Sequence, residues 1–304
     1  MRKRLLVISL LVLSMLLSAC SLTGSSESDQ IKIASAVTTE GQILANMMKD
    51  MIEHYTDEEV EIINNLGSST VVHQAMVNGD ANMSAIRYTG TDLTGALQED
   101  PIKEADKALA YVQTEFQKRF NQTFFDSYGF ENTYAFMVSK ETAEKYNLKT
   151  ISDLASVASE LEAGVDTSWM NREGDGYKAF VETYGFDFSR VYPMQIGLVY
   201  DAVESGELDV VLGYTTDGRI ASYDLVVLED DLNFFPPYDA SPLADTELLK
   251  EKPEVKEAVE RLIGKVSTKT MQELNYQADN NLIEPAVVAE QFLTEHNYFS
   301  GGDE

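Results

Sequence analysis

Two distant stretches of this chain follow one plan. Residues 73–79 run on to Tyr88-Thr89, and residues 200–206 run on to Tyr214-Thr215. Each reads as a helix, a C-capping glycine, an acidic residue, a strand and then Tyr-Thr, with the second interval one residue shorter. Recurrence at so long a separation predicts two lobes of similar plan, not a short-period repeat. Around the first copy, residues 31–34, 60–63 and 83–88 read as strands. Between them lie a helix over 38–55, with apolar residues at helical spacing and Glu40 near its start, and a second helix capped by Ser68, Ser69 or Thr70. The order β-α-β-α-β calls for a parallel sheet with helices on its faces.

The second lobe reads less cleanly. Strands are expected over 162–165, 209–214 and 225–228, and helices over 174–184 and 196–205. An aromatic-rich segment, 126–136, runs into a strand ending at Val138, and residues 233–238 form a rigid turn with Pro236 and Pro237. Helices over 253–266, 268–279 and 285–295 close the chain. The expectation is an α/β protein that crosses to a second lobe near 135 and returns before about 240, the two connections making a hinge. The boundaries that follow are 31–135 with 239–300 for lobe I and 136–238 for lobe II.

Before lobe I stands a leader. Arg2, Lys3 and Arg4 precede an apolar run over 5–17, too short to span a bilayer as a helix. The run ends in Leu17-Ser18-Ala19-Cys20, which resembles a bacterial lipobox. Residues 1–19 are therefore read as a signal peptide, Cys20 as the lipid attachment, and 20–30 as a polar tether. Cys20 is also the single cysteine, so the exported domain must hold together without disulfides. Roughly 270 residues remain, enough for one large or two smaller α/β domains. The formal charge of −28 repels nucleic acid and anionic lipid, so neither is a partner. Salt screens such a surface over about 8–10 Å, so it says little about the site.

Catalytic patterns do not emerge. There are three histidines (His54, His73, His296), no nucleophile elbow, zincin, P-loop or dinucleotide fingerprint, and no calcium-loop spacing; no metal and no cofactor are expected. Tyrosine is abundant instead, at 15 residues. Tyr88 and Tyr214 stand at the carboxyl ends of equivalent strands, where ligands of open α/β sheets bind, and Tyr134 and Tyr238 fall near the two crossovers. Four ring faces in one cleft suit a quaternary ammonium, which has no N–H to donate and is recognised through ring quadrupoles at ~1–2 kcal/mol per desolvated ring. A lone tyrosine at a strand end is more often a packed amphipathic residue, and both readings stand at this point.

Five blocks carry a family resemblance. Arg87-Tyr88-Thr89-Gly90-Thr91-Asp92-Leu93-Thr94-Gly95, residues 126–136, residues 192–203, Tyr214-Thr215-Thr216-Asp217-Gly218-Arg219-Ile220 and residues 234–242 resemble the substrate-binding lipoproteins of osmoprotectant ABC transporters. The similarity extends from about Ile31 to Phe299. It implies a type II periplasmic-binding-protein fold and a four-tyrosine cage on Tyr88, Tyr134, Tyr214 and Tyr238. It further implies a glycine betaine, carnitine or choline ligand and an ABC permease partner. The protein would be a lipid-anchored monomer on the outer face of the cytoplasmic membrane of a Gram-positive cell. Some choline-restricted relatives carry an aspartate where this chain has Thr91, and a glutamine near Ala36. A neutral hydroxyl can donate to a carboxylate, which favours a specificity that includes zwitterions; the alternative is that Thr91 caps a helix starting at Asp92. Residues 166–169 are assigned to the lining of the second lobe. Against the transport reading stand an exported enzyme, a structural lipoprotein, and an amino-acid-binding protein that would use Arg87 or Arg219 on the ligand carboxylate.

Overall fold

The structure, a computed structural model, describes residues 30–172 and 175–300. The leader, Cys20 and most of the tether lie outside the described residues. The described residues form ten strands: β1 (Ile31–Ala36), β2 (Val60–Leu66), β3 (Met83–Tyr88), β4 (Gln122–Phe124), β5 (Tyr134–Val138), β6 (Glu162–Asp166), β7 (Arg190–Met194), β8 (Val210–Tyr214), β9 (Val226–Val227) and β10 (Ala240–Asp245). They make two five-stranded sheets of one topology, β2-β1-β3-β10-β4 and β7-β6-β8-β5-β9. In each, three parallel strands are followed by a strand antiparallel to the third, β10 against β3 and β5 against β8.

Local chemistry accounts for the clearest elements. Thr38 accepts the Gly41 N–H at 3.3 Å and opens the helix Thr39–Tyr55, which buries Ile43, Leu44, Met47, Met48, Met51 and Ile52 on one stripe. Ser68 caps the helix Ser69–Asn78, and Gly79 ends it at φ +79°, a left-handed conformation that costs glycine little. Gly206 repeats that ending in the second lobe at φ +75°.

Three expected helices are shorter than read. The segment over 196–205 is a 3-10 turn, Ile196–Leu198, followed by the helix Val199–Glu204. The helix read over 174–184 is Tyr177–Tyr184. The helix read over 253–266 stops at Glu260, because the following backbone turns toward the first crossover: Gly264 N–H donates to Ser127 O at 3.0 Å and Val266 N–H to Tyr128 O at 2.9 Å. Unread elements include the helix Ala105–Phe120 and strands β4, β7 and β10.

The chain leaves the first sheet after β4 and enters the second at Tyr134; it returns to the first at Ala240. The two connecting segments lie side by side, with Glu131 bridged to Asp239, Asn132 N–H donating to Tyr238 O at 3.2 Å and Ala240 N–H to Phe130 O at 3.1 Å. The site therefore lies beyond the carboxyl ends of β3 and β8, beside these connections.

Candidate functional site

Strand register sets the first two rings. Tyr134 is the partner of Tyr214 across β5 and β8, and their ring centroids lie 5.0 Å apart with the hydroxyls at 3.4 Å. Tyr134 is braced from behind by Trp169 and Phe235, at centroid distances of 6.3 and 6.2 Å. The Tyr200 hydroxyl pins the backbone of Tyr214: it accepts the Tyr214 N–H at 2.7 Å and donates to Tyr214 O at 3.2 Å. Gly213 is what lets Tyr200 in, since a Cβ there would sit 2.7 Å from the Tyr200 hydroxyl oxygen.

The other two rings stand beside the first sheet. Tyr88 ends β3 opposite Ala240, and its hydroxyl donates to Glu40 in the first turn of the helix Thr39–Tyr55. Burial, and after it the Glu40 carboxylate, raises the Tyr88 pKa well above the usual phenol range, so the hydroxyl stays a donor. Glu40 also accepts from Asn132 Nδ2 at 2.7 Å and from Asn275 Nδ2 at 3.4 Å, while Asn275 Nδ2 donates to Thr216 O at 2.9 Å. One carboxylate thus ties together a ring, a crossover and a loop of the second lobe. In the second lobe, Asp166 accepts from the Tyr134 hydroxyl at 3.1 Å and from the Trp169 N–H at 3.1 Å. Tyr238 lies over Gly90, where a Cβ would meet its Cε1 at 3.0 Å and Pro237 O at 2.7 Å.

The two arginines considered as carboxylate grips are both engaged elsewhere. Arg87, 2% exposed, forms a two-point pair with Asp92 and donates to Ser69 O at 3.1 Å. Arg219 is held by Asp217 at 2.9 Å and by Gly197 O at 2.6 Å, stacked 4.4 Å over Tyr200. Sequence reasoning missed a third arginine. Arg172 stands 5.7 Å over the Tyr134 ring, 3.4 Å from the Tyr238 hydroxyl, and pairs with Asp175 at 2.8 Å. The one signal for it was its place just beyond residues 166–169, already assigned to the second-lobe lining.

Tyr134, Tyr214 and Tyr238 therefore meet directly or through Arg172, and Tyr88 is linked to the loop after Tyr214 through Glu40, Asn275 and Thr216 O. Thr91 follows Gly90, over which the Tyr238 ring lies. It sits inside the helix Thr89–Thr94, whose N-cap is Tyr88, so it does not cap a helix starting at Asp92. With Ser69, Thr70, His73 and Gln74 it lines a polar hollow of about 200 Å³, beyond the carboxyl ends of β2 and β3. His73 there is held neutral by burial and by the nearby Arg87 charge, both of which lower its pKa. Among the described residues no group of three or more His, Cys, Asp or Glu is disposed to hold a metal. No described helix is long and apolar enough to cross a membrane.

Three relatives put this geometry in context. The carnitine transport binding protein OpuCC of Listeria monocytogenes is 57% identical over 294 residues, covering 96% of each chain. The crystal structure of a glycine betaine/carnitine/choline ABC transporter protein is 59% identical, with a TM-score of 0.87 over 89% of this chain and 100% of that one. The ergothioneine transport permease/ergothioneine binding protein EgtU of Helicobacter pylori is 32% identical over 88% of this chain but only 48% of its own length. Residues 29–295 match the substrate binding domain of ABC-type glycine betaine transport system, and the α/β chain with its two type II sheets belongs to that family.

Proposed function

We propose that this chain captures quaternary-ammonium osmolytes (glycine betaine, carnitine and choline) in a cage of Tyr88, Tyr134, Tyr214 and Tyr238, and delivers them to an ABC permease. The observation that carries the reading is Arg172: a cation already stands over the Tyr134 ring and beside Tyr238. A quaternary ammonium asks for the same ring faces and needs no hydrogen bond there. The 57% identity to a carnitine transport binding protein supports the ligand class. Arg172 is suited to a ligand carboxylate, as is the hollow lined by Thr91, Ser69 and Thr70, which favours zwitterions alongside choline. An amino-acid ligand gripped by Arg87 or Arg219 is disfavoured, because both are committed to Asp92 and Asp217.

The same reading assigns residues 31–135 with 239–300 to lobe I and 136–238 to lobe II, with the paired crossovers as hinge. Cys20 is the lipid attachment that follows the signal peptide, and the tethered protein works as a monomer outside the cytoplasmic membrane, binding without catalysis. Ligand held by both lobes favours the closed form, since it gains contacts only there. Calorimetric titration of the chain without residues 1–20 tests the proposal. Choline, glycine betaine and carnitine should each bind, and leucine or glutamate should not. Binding of an amino acid with none of the quaternary ligands would replace the reading.

A further inference from the structure

Two carboxylates back the cage, and among the described residues neither has a cation of its own. Glu40 is 3% exposed and Asp166 is 7% exposed. Among the described residues the partners of Glu40 are the Tyr88 hydroxyl and the amides of Asn132 and Asn275. Those of Asp166 are the Tyr134 hydroxyl and the Trp169 N–H. Every one of these donors is neutral. The molecule shows what it does elsewhere with an anion as deeply buried: Asp92, 1% exposed, is met by both nitrogens of the Arg87 fork. A buried carboxylate without opposite charge carries a desolvation penalty that neutral hydrogen bonds only partly offset. Arg172 does not supply the missing charge, because Asp175 holds it at 2.8 Å.

The placement is matched between the lobes. Each carboxylate accepts a hydrogen bond from the hydroxyl of one cage tyrosine, Glu40 from Tyr88 and Asp166 from Tyr134. Such a bond fixes the ring and pushes electron density into the phenol, so the ring face turned to the ligand becomes more negative. The charges also act directly, since Coulomb attraction falls only with the first power of distance and both carboxylates are buried, where screening is weak. Resting on the quaternary-ammonium reading, the geometry points to Glu40 and Asp166 as the counter-charges of the ligand's cationic head, and as residues that set the balance between choline and the zwitterions. Choline brings one positive charge and nothing to oppose it. Glycine betaine brings the same head with a carboxylate, which both anions repel, so it draws less from them.

Titration of the parent, Glu40→Gln and Asp166→Asn against choline and glycine betaine tests the assignment. Each variant should bind choline about tenfold more weakly, or about 1.4 kcal/mol, and glycine betaine no more than about threefold more weakly. The melting temperature of the ligand-free variants should not fall, because an uncompensated anion has been removed. The asparagine oxygen at 166 can still accept from Tyr134 and Trp169, so that variant carries the test if glutamine at 40 disturbs folding. Equal losses for the two ligands would mean that the carboxylates only hold the rings. Unchanged choline affinity would make them bystanders, and either outcome overturns the assignment. A parent that binds neither ligand would instead end the quaternary-ammonium reading itself.

Discussion

The two sheets share one strand order and hold the tyrosine rings beside them in different ways. In the second sheet Tyr134 and Tyr214 are neighbours across a strand pair, set against an aromatic block of Phe136, Trp169, Phe180, Phe188 and Phe235. In the first lobe the sheet is covered by the methionines and isoleucines of the helix Thr39–Tyr55, and Tyr88 is steadied by a hydrogen bond to Glu40. Aromatic packing is geometrically specific, whereas methionine adapts to irregular gaps. One topology therefore presents a wall fixed by ring contacts and, opposite it, a wall fixed by a polar anchor. The difference teaches that the fold dictates where the rings stand, while the local core decides what keeps them there.

The strongest way to break that contrast is to remove the centre of the aromatic block. Trp169 is fully buried and touches Tyr134, Phe136, Tyr177, Phe180 and Phe235. Trp169→Ala should cost about 3–5 kcal/mol in urea unfolding, because the surroundings close only partly over the void. It should also weaken ligand binding without touching ligand. A loss below about 1 kcal/mol would show that the block is not what stiffens this lobe.

Next in size are the hydroxyls. Tyr88→Phe strands the Glu40 carboxylate with amides alone, and leaving a buried acceptor short of its donor costs about 1–3 kcal/mol. Tyr134→Phe removes a bond to Asp166 that is backed by the Trp169 N–H and by ring packing, so its cost should be smaller. Thermal melts of the two ligand-free variants compare the anchors directly, and a larger loss at Tyr134 would reverse the picture. Leucine at Tyr88, Tyr134, Tyr214 or Tyr238 should lower choline affinity by about 1–2 kcal/mol per ring, beyond the phenylalanine variant at the same position. Four leucine variants that bind like the parent would return the tyrosines to packing residues.

How much of this was legible in the sequence follows the same physics. The helix Thr39–Tyr55 and the paired glycine endings at Gly79 and Gly206 were readable because cap, period and stop all agree locally. Strand β10 was not, since Pro242 argues against a central strand; the sheet accommodates it at a register shift between Ser241 and Leu243. Strand β7 hides for a related reason, carrying Pro193 on an edge with little burial. At the site, Tyr88 and Tyr214 could be placed from strand ends, which are local features, and Tyr134 and Tyr238 from the two expected crossovers. Arg172 and Glu40 could not, because what makes them matter is which rings another part of the chain brings to them. An acid in a helix's first turn reads as a dipole partner, and only the packing of Asn132 and Asn275 around it reveals a buried anion.

The smallest effect lies far from the rings and separates the lobes by pH. Asp50, on the outer face of the helix Thr39–Tyr55, lines a hollow of about 500 Å³ with Lys49, Glu53, His54 and Glu290. Burial raises its pKa to about 6; Lys49 opposes the shift, and Glu290 and Glu53 add to it. In the second lobe Asp153 shows the opposite case, its pKa lowered by the backbone N–H groups of Thr150 and Lys149. A carboxyl whose folded pKa lies above its unfolded value binds its proton more tightly in the native state. Asp50 therefore contributes stability below about pH 4 and loses it as pH rises through about 6. Asp50→Asn should remove that loss, adding about 1 kcal/mol at pH 7 once partial exposure is allowed for, or roughly 2–4 °C in Tm. At pH 4 the variant and parent should melt together. Melts at the two pH values decide the matter, and an equal gain at both would mean that repacking, not the charge of Asp50, is responsible.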